Sequence, residues 1–206
     1  MRITDQLLDQ AFTDHKTTCG GVRNDYFALV YLQHEHDVPR EEAIQQIAFG
    51  GHDYGIDAFH FDKDKRNLYL FQFKYSESHQ QFKDSFKRLI DAGMQNVFDA
   101  DKQDQRQNQL IPQIKSCITD NTALIDRVII LFVFLGDPKT AEDSPVLDKL
   151  REDLENKKYL VEKALNRPVP LVIEFRSAKT KKVGGVSHVR KTHSYWTDAP
   201  NSGVRR

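Results

Sequence analysis

Apolar positions in the first fifty residues recur at helical spacing. Ile3, Leu7, Leu8 and Phe12 share one face, and beyond the break at "CGG" Tyr26, Phe27, Val30 and Tyr31 repeat the pattern. A third helix opens at Pro39 in "PREEAIQQIAF", where a missing amide hydrogen is no loss, and stops before Gly50 and Gly51. The period then drops to two. "GIDAFHFD" and "NLYLFQFKY" read as strands, and "DKDKRN" between them has the Asp, Asn and charge of a hairpin turn, so the two run antiparallel. Helical spacing returns in "HQQFKDSFKRLIDAGM", with Phe82, Phe86, Leu89 and Ile90 on one face and an end at Gly93, while the polar stretch near 101–109 reads as loop or frayed helix. "RVIILFVFLG" is a continuous β-branched and aromatic run, the pattern of a strand buried on both faces. The helix "SPVLDKLREDLENKKYLVEKALN" separates it from a last strand, "VPLVIEFR", which implies parallel pairing. The order is helices, β, β, α, β, α, β: an α/β fold built on a mixed sheet of four or five strands flanked by helices.

The length of 206 residues suits a single domain with its own core. We divide it into N-terminal helices packed on that core (1–50), the core itself (51–178) and a basic segment (179–206). Thirty Lys and Arg balance thirty Asp and Glu, so net charge argues for no polyanionic partner. The balance is uneven, however. From residue 176 onward Arg176, Lys179, Lys181, Lys182, Arg190, Lys191, Arg205 and Arg206 face only Asp198. With Tyr195 and Trp196 among them, Lys181, Lys182, Arg190 and Lys191 suit a phosphate backbone and a stacked base, and they equally suit a solvated basic tail. Cys19 and Cys117 alone allow neither a disulfide framework nor a four-thiolate zinc site. The N-terminus lacks a signal-type apolar run and no stretch approaches the ~20 apolar residues of a membrane span. A cytoplasmic protein with no membrane partner is expected.

The chemistry concentrates in the two hairpin strands. Along "LYLFQFKY" Tyr69, Phe71, Phe73 and Tyr75 form one face, and Leu68, Leu70, Gln72 and Lys74 the other. Asp57, on the preceding strand, can lie across the hairpin from Gln72 and Lys74, so an acid, an amide and an amine converge near one sheet end. Taken singly, an Asp beside a Gly-rich turn is a turn residue and Q-x-K is a solvated face. Together, set in strands that are otherwise apolar, they need partners, and each other plus a cation would serve. Mg²⁺ prefers oxygen ligands and is often held by one or two carboxylates with phosphates completing its shell. Asp57 supplies a carboxylate, the Gln72 side-chain oxygen a neutral ligand and the Phe73 backbone carbonyl a third. Lys74 can orient the attacking water and stabilise charge on phosphorus. The combination points to phosphodiester hydrolysis with Mg²⁺, for which Mn²⁺ can substitute. Among the eight histidines, His34 and His36 flank Glu35 near a helix end, the place of a solvated cluster, while His52 and His60 bracket Asp57 and His52 can touch substrate. No P-loop, G-x-G-x-x-G after a strand, H-E-x-x-H or G-x-S-x-G occurs.

"GIDAFHFDKDKRNLYLFQFKYS" resembles the catalytic hairpin of the PD-(D/E)xK nuclease superfamily in its D...QxK form, and its wording is similar to the N-terminal nuclease domain of AIPR (abortive phage infection) proteins. The motif is specific over residues 50–76, and the order of elements over roughly 20–178 agrees with a restriction-endonuclease-like core. The resemblance implies that residues 51–178 are a nuclease core, that Asp57 and Gln72 are the metal-binding and catalytic acid and amide, and that Lys74 is the catalytic lysine. Glutamine stands where glutamate is commoner, which implies weaker metal affinity in the absence of nucleic acid. Relatives that add an acid from the first core helix match Asp25, with Glu35 second, although an Asp at a helix start is equally explained by the helix dipole. The implied function is a Mg²⁺-dependent endonuclease in bacterial anti-phage defence, acting on DNA in preference to RNA. Implied partners are nucleic acid, a second copy of the chain, and either a further defence-system subunit or a C-terminal domain beyond this sequence. The rival readings are an RNA nuclease, and a nuclease-fold binding or assembly module without turnover.

Overall fold

The computed structural model describes residues 3–102 and 106–179. A four-stranded mixed sheet, in the order β1-β2-β3-β4, forms its middle layer. β1 (Ala58–Asp62) and β2 (Asn67–Lys74) are the two arms of the antiparallel hairpin. β3 (Arg127–Phe134) runs parallel to β2, and β4 (Leu171–Ser177) runs parallel to β3. Before the sheet come α1 (Asp5–Cys19), α2 (Tyr26–Glu35) and α3 (Arg40–Gln45). Between β2 and β3 lie α4 (Phe82–Arg88), a π-helical turn (Leu89–Gly93), α5 (Met94–Phe98) and α6 (Leu110–Asp120). Between β3 and β4 lie α7 (Pro138–Glu142), α8 (Pro145–Glu155) and α9 (Lys158–Leu165). The fold is α/β, a mixed sheet with helices on both faces.

Strand alternation decides which helices each face receives. Tyr69, Phe71 and Phe73 of β2, with Ile129, Leu131 and Val133 of β3, pack against α1 and α2. Leu68, Leu70, Val128, Ile130, Phe132 and Phe134 pack against α4, α6, α8 and α9. β3 is therefore buried on both sides, in keeping with its unbroken apolar run. α2 is buried all round from Tyr26 to Leu32, because it lies between the sheet and α1. Phe27 meets Phe73 and Tyr75 edge-on, each at 5.3 Å between ring centres. Such pairs add about 0.5–1.5 kcal/mol each to simple burial. The N-terminal helices thus share a core with the sheet.

Several elements depart from the sequence pattern. The helix after the hairpin does not stop at Gly93 but continues through a π-helical turn to Phe98. Gly93 marks a close approach instead: a Cβ there would stand 2.9 Å from the Tyr54 carbonyl oxygen. α6 lies where the sequence pattern marks no element, and Leu110, Ile111, Ile114 and Ile118 bury one face of it. The single long helix expected before the last strand is two, broken at residues 156–157. α3 is shorter than expected, and the residues after it run extended beside β1: Ile47 bridges Ala58, Phe59 N donates to Gln46 O (2.9 Å) and Ala48 N donates to Asp57 O (2.9 Å). That segment covers the outer edge of the hairpin next to Asp57. Among the described residues, no helix is long and apolar enough to cross a membrane.

Candidate functional site

In the antiparallel hairpin the start of β1 lies beside the end of β2, where Ala58 stands opposite Phe71. One residue earlier, the Asp57 amide still donates to Phe71 O at 2.9 Å, but its side chain turns onto β2 and accepts the Phe73 amide hydrogen at 2.6 Å. The carboxylate takes the place of the next rung of the ladder and satisfies an edge donor that would otherwise be unpaired. The N–H and C=O of one residue in an extended strand project toward the same neighbour, so the Phe73 carbonyl also faces the β1 side, beyond the last β1 rung.

Asp57, Phe73 and Lys74 line a cavity of about 250 Å³ together with Asp25, Asn24, Ala28, Ala48, Tyr75 and Gln81. Asp25 reaches it from the turn before α2, where its Oδ2 accepts from Val22 N (2.9 Å) and from Gly50 N (3.4 Å). Gly21, at φ +72°, lets the carboxylate close over the turn, since a Cβ there would stand 2.5 Å from Asp25 Oδ2. Burial raises the Asp25 carboxyl above the ordinary range; the two amides pull it back and the charge of Asp53 pushes it further up. Burial also pushes Asp57 up to about 6; the Phe73 amide lowers it, Asp53 raises it, Lys74 lowers it and Asp25 raises it. Asp25 and Lys74 therefore both act on the charge of Asp57, and all three border one small cavity.

The other expected residues lie elsewhere. Gln72 does not line the cavity. Its side chain is fully buried on the α4 side of the sheet, where Nε2 donates to Gly55 O at 2.6 Å and Oε1 accepts from Ser85 Oγ at 3.0 Å. His52 is exposed, at φ +63°, on the loop before Asp57, with its carbonyl taken by Asn108 N at 3.0 Å. His36 is not part of a solvated cluster, because it packs edge-on against His60 (5.1 Å), Tyr69 (5.2 Å) and Phe71 (5.5 Å), while His34 is exposed. Lys181, Lys182, Arg190 and Lys191 lie outside the described residues.

Three contributors escaped the sequence reading. Asp53 forms a local turn, its Oδ1 accepting Gly55 N at 2.7 Å, and its charge reaches both cavity carboxylates. Asn24 and Gln81 line the cavity. Only tertiary contact identifies Asn24 and Gln81, whereas "DYG" carried an Asx-turn signal for Asp53.

No family model, curated protein or solved structure matches this chain. The chemistry of the site has to be read from its own donors.

Among the described residues, no group of three or more His, Cys, Asp or Glu side chains is arranged to hold a metal. Mg²⁺ does not require one, because it keeps several waters and takes only one or two carboxylates from the protein. Two carboxylates and a peptide carbonyl in one cavity fit that requirement, and Asp57 has the stronger need for a cation. Among the described residues only the Phe73 amide hydrogen bonds to its half-buried carboxylate. A larger cavity of about 530 Å³, between α1, α3 and the start of α6, is lined by Gln45, Arg106, Gln107, Asn108, Gln109 and Gln113, and among the described residues it has no carboxylate in its lining to hold a hard cation.

Proposed function

We propose that this chain is a Mg²⁺-dependent nuclease with a restriction-endonuclease-like core of the PD-(D/E)xK type, cutting DNA in bacterial defence against phage. The observation that carries the reading is Asp57 hydrogen-bonded to the Phe73 peptide beside Lys74, with Asp25 across the same cavity. The superfamily resemblance of "GIDAFHFDKDKRNLYLFQFKYS" supports the assignment of type, and the preference for DNA and the defence setting rest on that resemblance alone.

Asp57, Asp25 and the Phe73 carbonyl would hold the cation, and Mg²⁺ bound there would polarise the phosphate and favour charge build-up on its oxygens. Lys74 lies beside that point, where its ammonium can orient the attacking water and stabilise the negative charge that grows on the phosphoryl oxygens. Asn24 and Gln81, which line the same cavity, would supply neutral donors to the phosphate. Water oxygen bonds to phosphorus, the bond from phosphorus to the leaving sugar oxygen breaks, and the proton released by water returns to that oxygen through solvent.

The test is cleavage of supercoiled plasmid, single-stranded DNA and RNA with Mg²⁺, Mn²⁺ or chelator, run beside Lys74→Ala. Metal-dependent cutting by wild type and none by the variant is the expected result; cutting confined to RNA would move the substrate assignment. A second reading, a nucleic-acid-binding module without turnover, draws on the sealed position of Gln72, which leaves the cavity one ligand short of the superfamily set. It predicts binding without cutting in any metal.

A further inference from the structure

The turn that carries Asp57 is pressed onto α4 and its π-helical extension by two backbone approaches. Gly55, at φ +81°, has no room for a side chain: a Cβ there would collide with the Ser85 carbonyl oxygen and stand 3.1 Å from Leu89 N and 3.2 Å from Gln72 Nε2. Gly93 meets Tyr54 O in the same way one turn further along. Gln72 spans this junction. Its Nε2 donates to Gly55 O and its Oε1 accepts from Ser85 Oγ, whose single hydrogen is shared between Gln72 Oε1 and Phe82 O, the latter at 3.1 Å.

We infer that Gln72 is a positioning residue, which with Ser85 forms a buried clasp that fixes the Gly55–Asp57 turn against α4 and so sets where the Asp57 carboxylate stands. The donor pattern requires an amide. One end faces a carbonyl and must donate; the other faces a hydroxyl donor and accepts. A glutamate in its place would set an ionised oxygen against Gly55 O, two acceptors in a fully buried position with no proton between them. The clasp reading and the ligand reading therefore disagree in sign. A ligand improves when it becomes a carboxylate, whereas a clasp breaks.

The inference depends on the nuclease reading only for its catalytic consequence, so its first arm uses metal-free protein without nucleic acid. Hydrogen exchange at the Ile56 and Asp57 amides, bonded to Asp53 O (3.1 Å) and Phe71 O (2.9 Å), reports the turn, with β3 amides as internal control. Ser85→Ala should speed exchange at those two amides by about tenfold and leave β3 unchanged. Gln72→Glu should do the same more strongly at pH 8 and lower Tm by about 10 °C. Both effects should shrink relative to wild type at pH 5, where the introduced carboxyl becomes neutral and can donate again. In a second arm, Ser85→Ala should lower kcat and leave KM for nucleic acid unchanged. Unaltered exchange in Ser85→Ala would overturn the clasp, as would a Gln72→Glu protein that is as stable as wild type at pH 8 and binds Mn²⁺ more tightly. Should Gln72→Glu fail to fold at pH 8, Ser85→Ala alone decides. If wild type neither cuts nor binds metal, the nuclease reading fails by itself and the exchange arm still decides the clasp.

Discussion

Asp57 keeps its charge against its surroundings. Burial lifts its carboxyl from 3.8 to about 6 even though the Phe73 amide and Lys74 both pull it down. A rise of that size corresponds to about 3 kcal/mol. The folded state holds the proton to higher pH than the unfolded chain, so between about pH 4 and 6 it binds more protons. Stability of the metal-free protein on this account falls as pH rises through that window, and the full loss is present at pH 8. Asp57→Asn keeps an oxygen for the Phe73 amide hydrogen and removes the charge. At pH 8 the variant should be about 3 kcal/mol more stable than wild type, a Tm higher by about 6–12 °C for a chain of this size. Near pH 4 the two should coincide.

The wild-type curve alone would hide this, because His36 slopes the other way. Burial and the neighbouring His60 hold its imidazole down from 6.5 to about 4, so the unfolded chain takes up a proton first, and stability on this account is lost as pH falls from 6.5 toward 4. His36 is present in both proteins, and the difference between them cancels it. The assay is thermal unfolding of wild type and Asp57→Asn from pH 4 to 8.5 in chelator, followed by addition of Mg²⁺ at pH 8. The cation should raise the wild-type Tm by mass action and leave the variant where it was. Equal melting temperatures at pH 8 in chelator, or a variant less stable than wild type, would refute the claim that an uncompensated carboxylate waits in this cavity.

Three further outcomes are expected. Lys74→Ala should lose cleavage by about 10²-fold or more while its Tm stays within about 2 °C, because a half-buried lysine at a strand end carries little packing; plasmid cleavage beside a melting curve separates the two. Gly55→Ala should lose about 3 kcal/mol or more, read as a lower urea midpoint, since a Cβ at φ +81° meets the Ser85 carbonyl. His36→Phe should flatten the acid limb of stability between pH 6.5 and 4 by about 3 kcal/mol, and an unchanged limb in chemical unfolding would assign it to other groups.

The hairpin was legible because each strand satisfies two faces at once. Tyr69, Phe71 and Phe73 alternate with Leu68, Leu70 and Gln72, and the sheet receives helices on both sides in that same alternation. Alternation says only which way a side chain leaves the strand, however. Gln72 and Lys74 share a parity, yet Gln72 is fully buried under α4 while Lys74, where the strand ends, borders open space. The partner that decides Gln72, Ser85, comes from a helix whose apolar face alone could be read in the sequence. Gly93 was misleading for a related reason: a helix stop and a close backbone approach both call for a missing side chain, and only the Tyr54 carbonyl distinguishes them. α6 was obscured by Pro112, which lies in the first turn of the helix, where a missing amide hydrogen breaks nothing. His36 and His60 are 24 residues apart, so neither H-x-H spacing nor periodicity could pair them. Asp25 combines both kinds of information. Its bond to Val22 N three residues back is a local contact within the turn before α2, and its bond to Gly50 N crosses 25 residues to the loop that leads to Asp57. The local bond holds the carboxylate against its own turn, and the distant one explains how the same carboxylate comes to border the cavity.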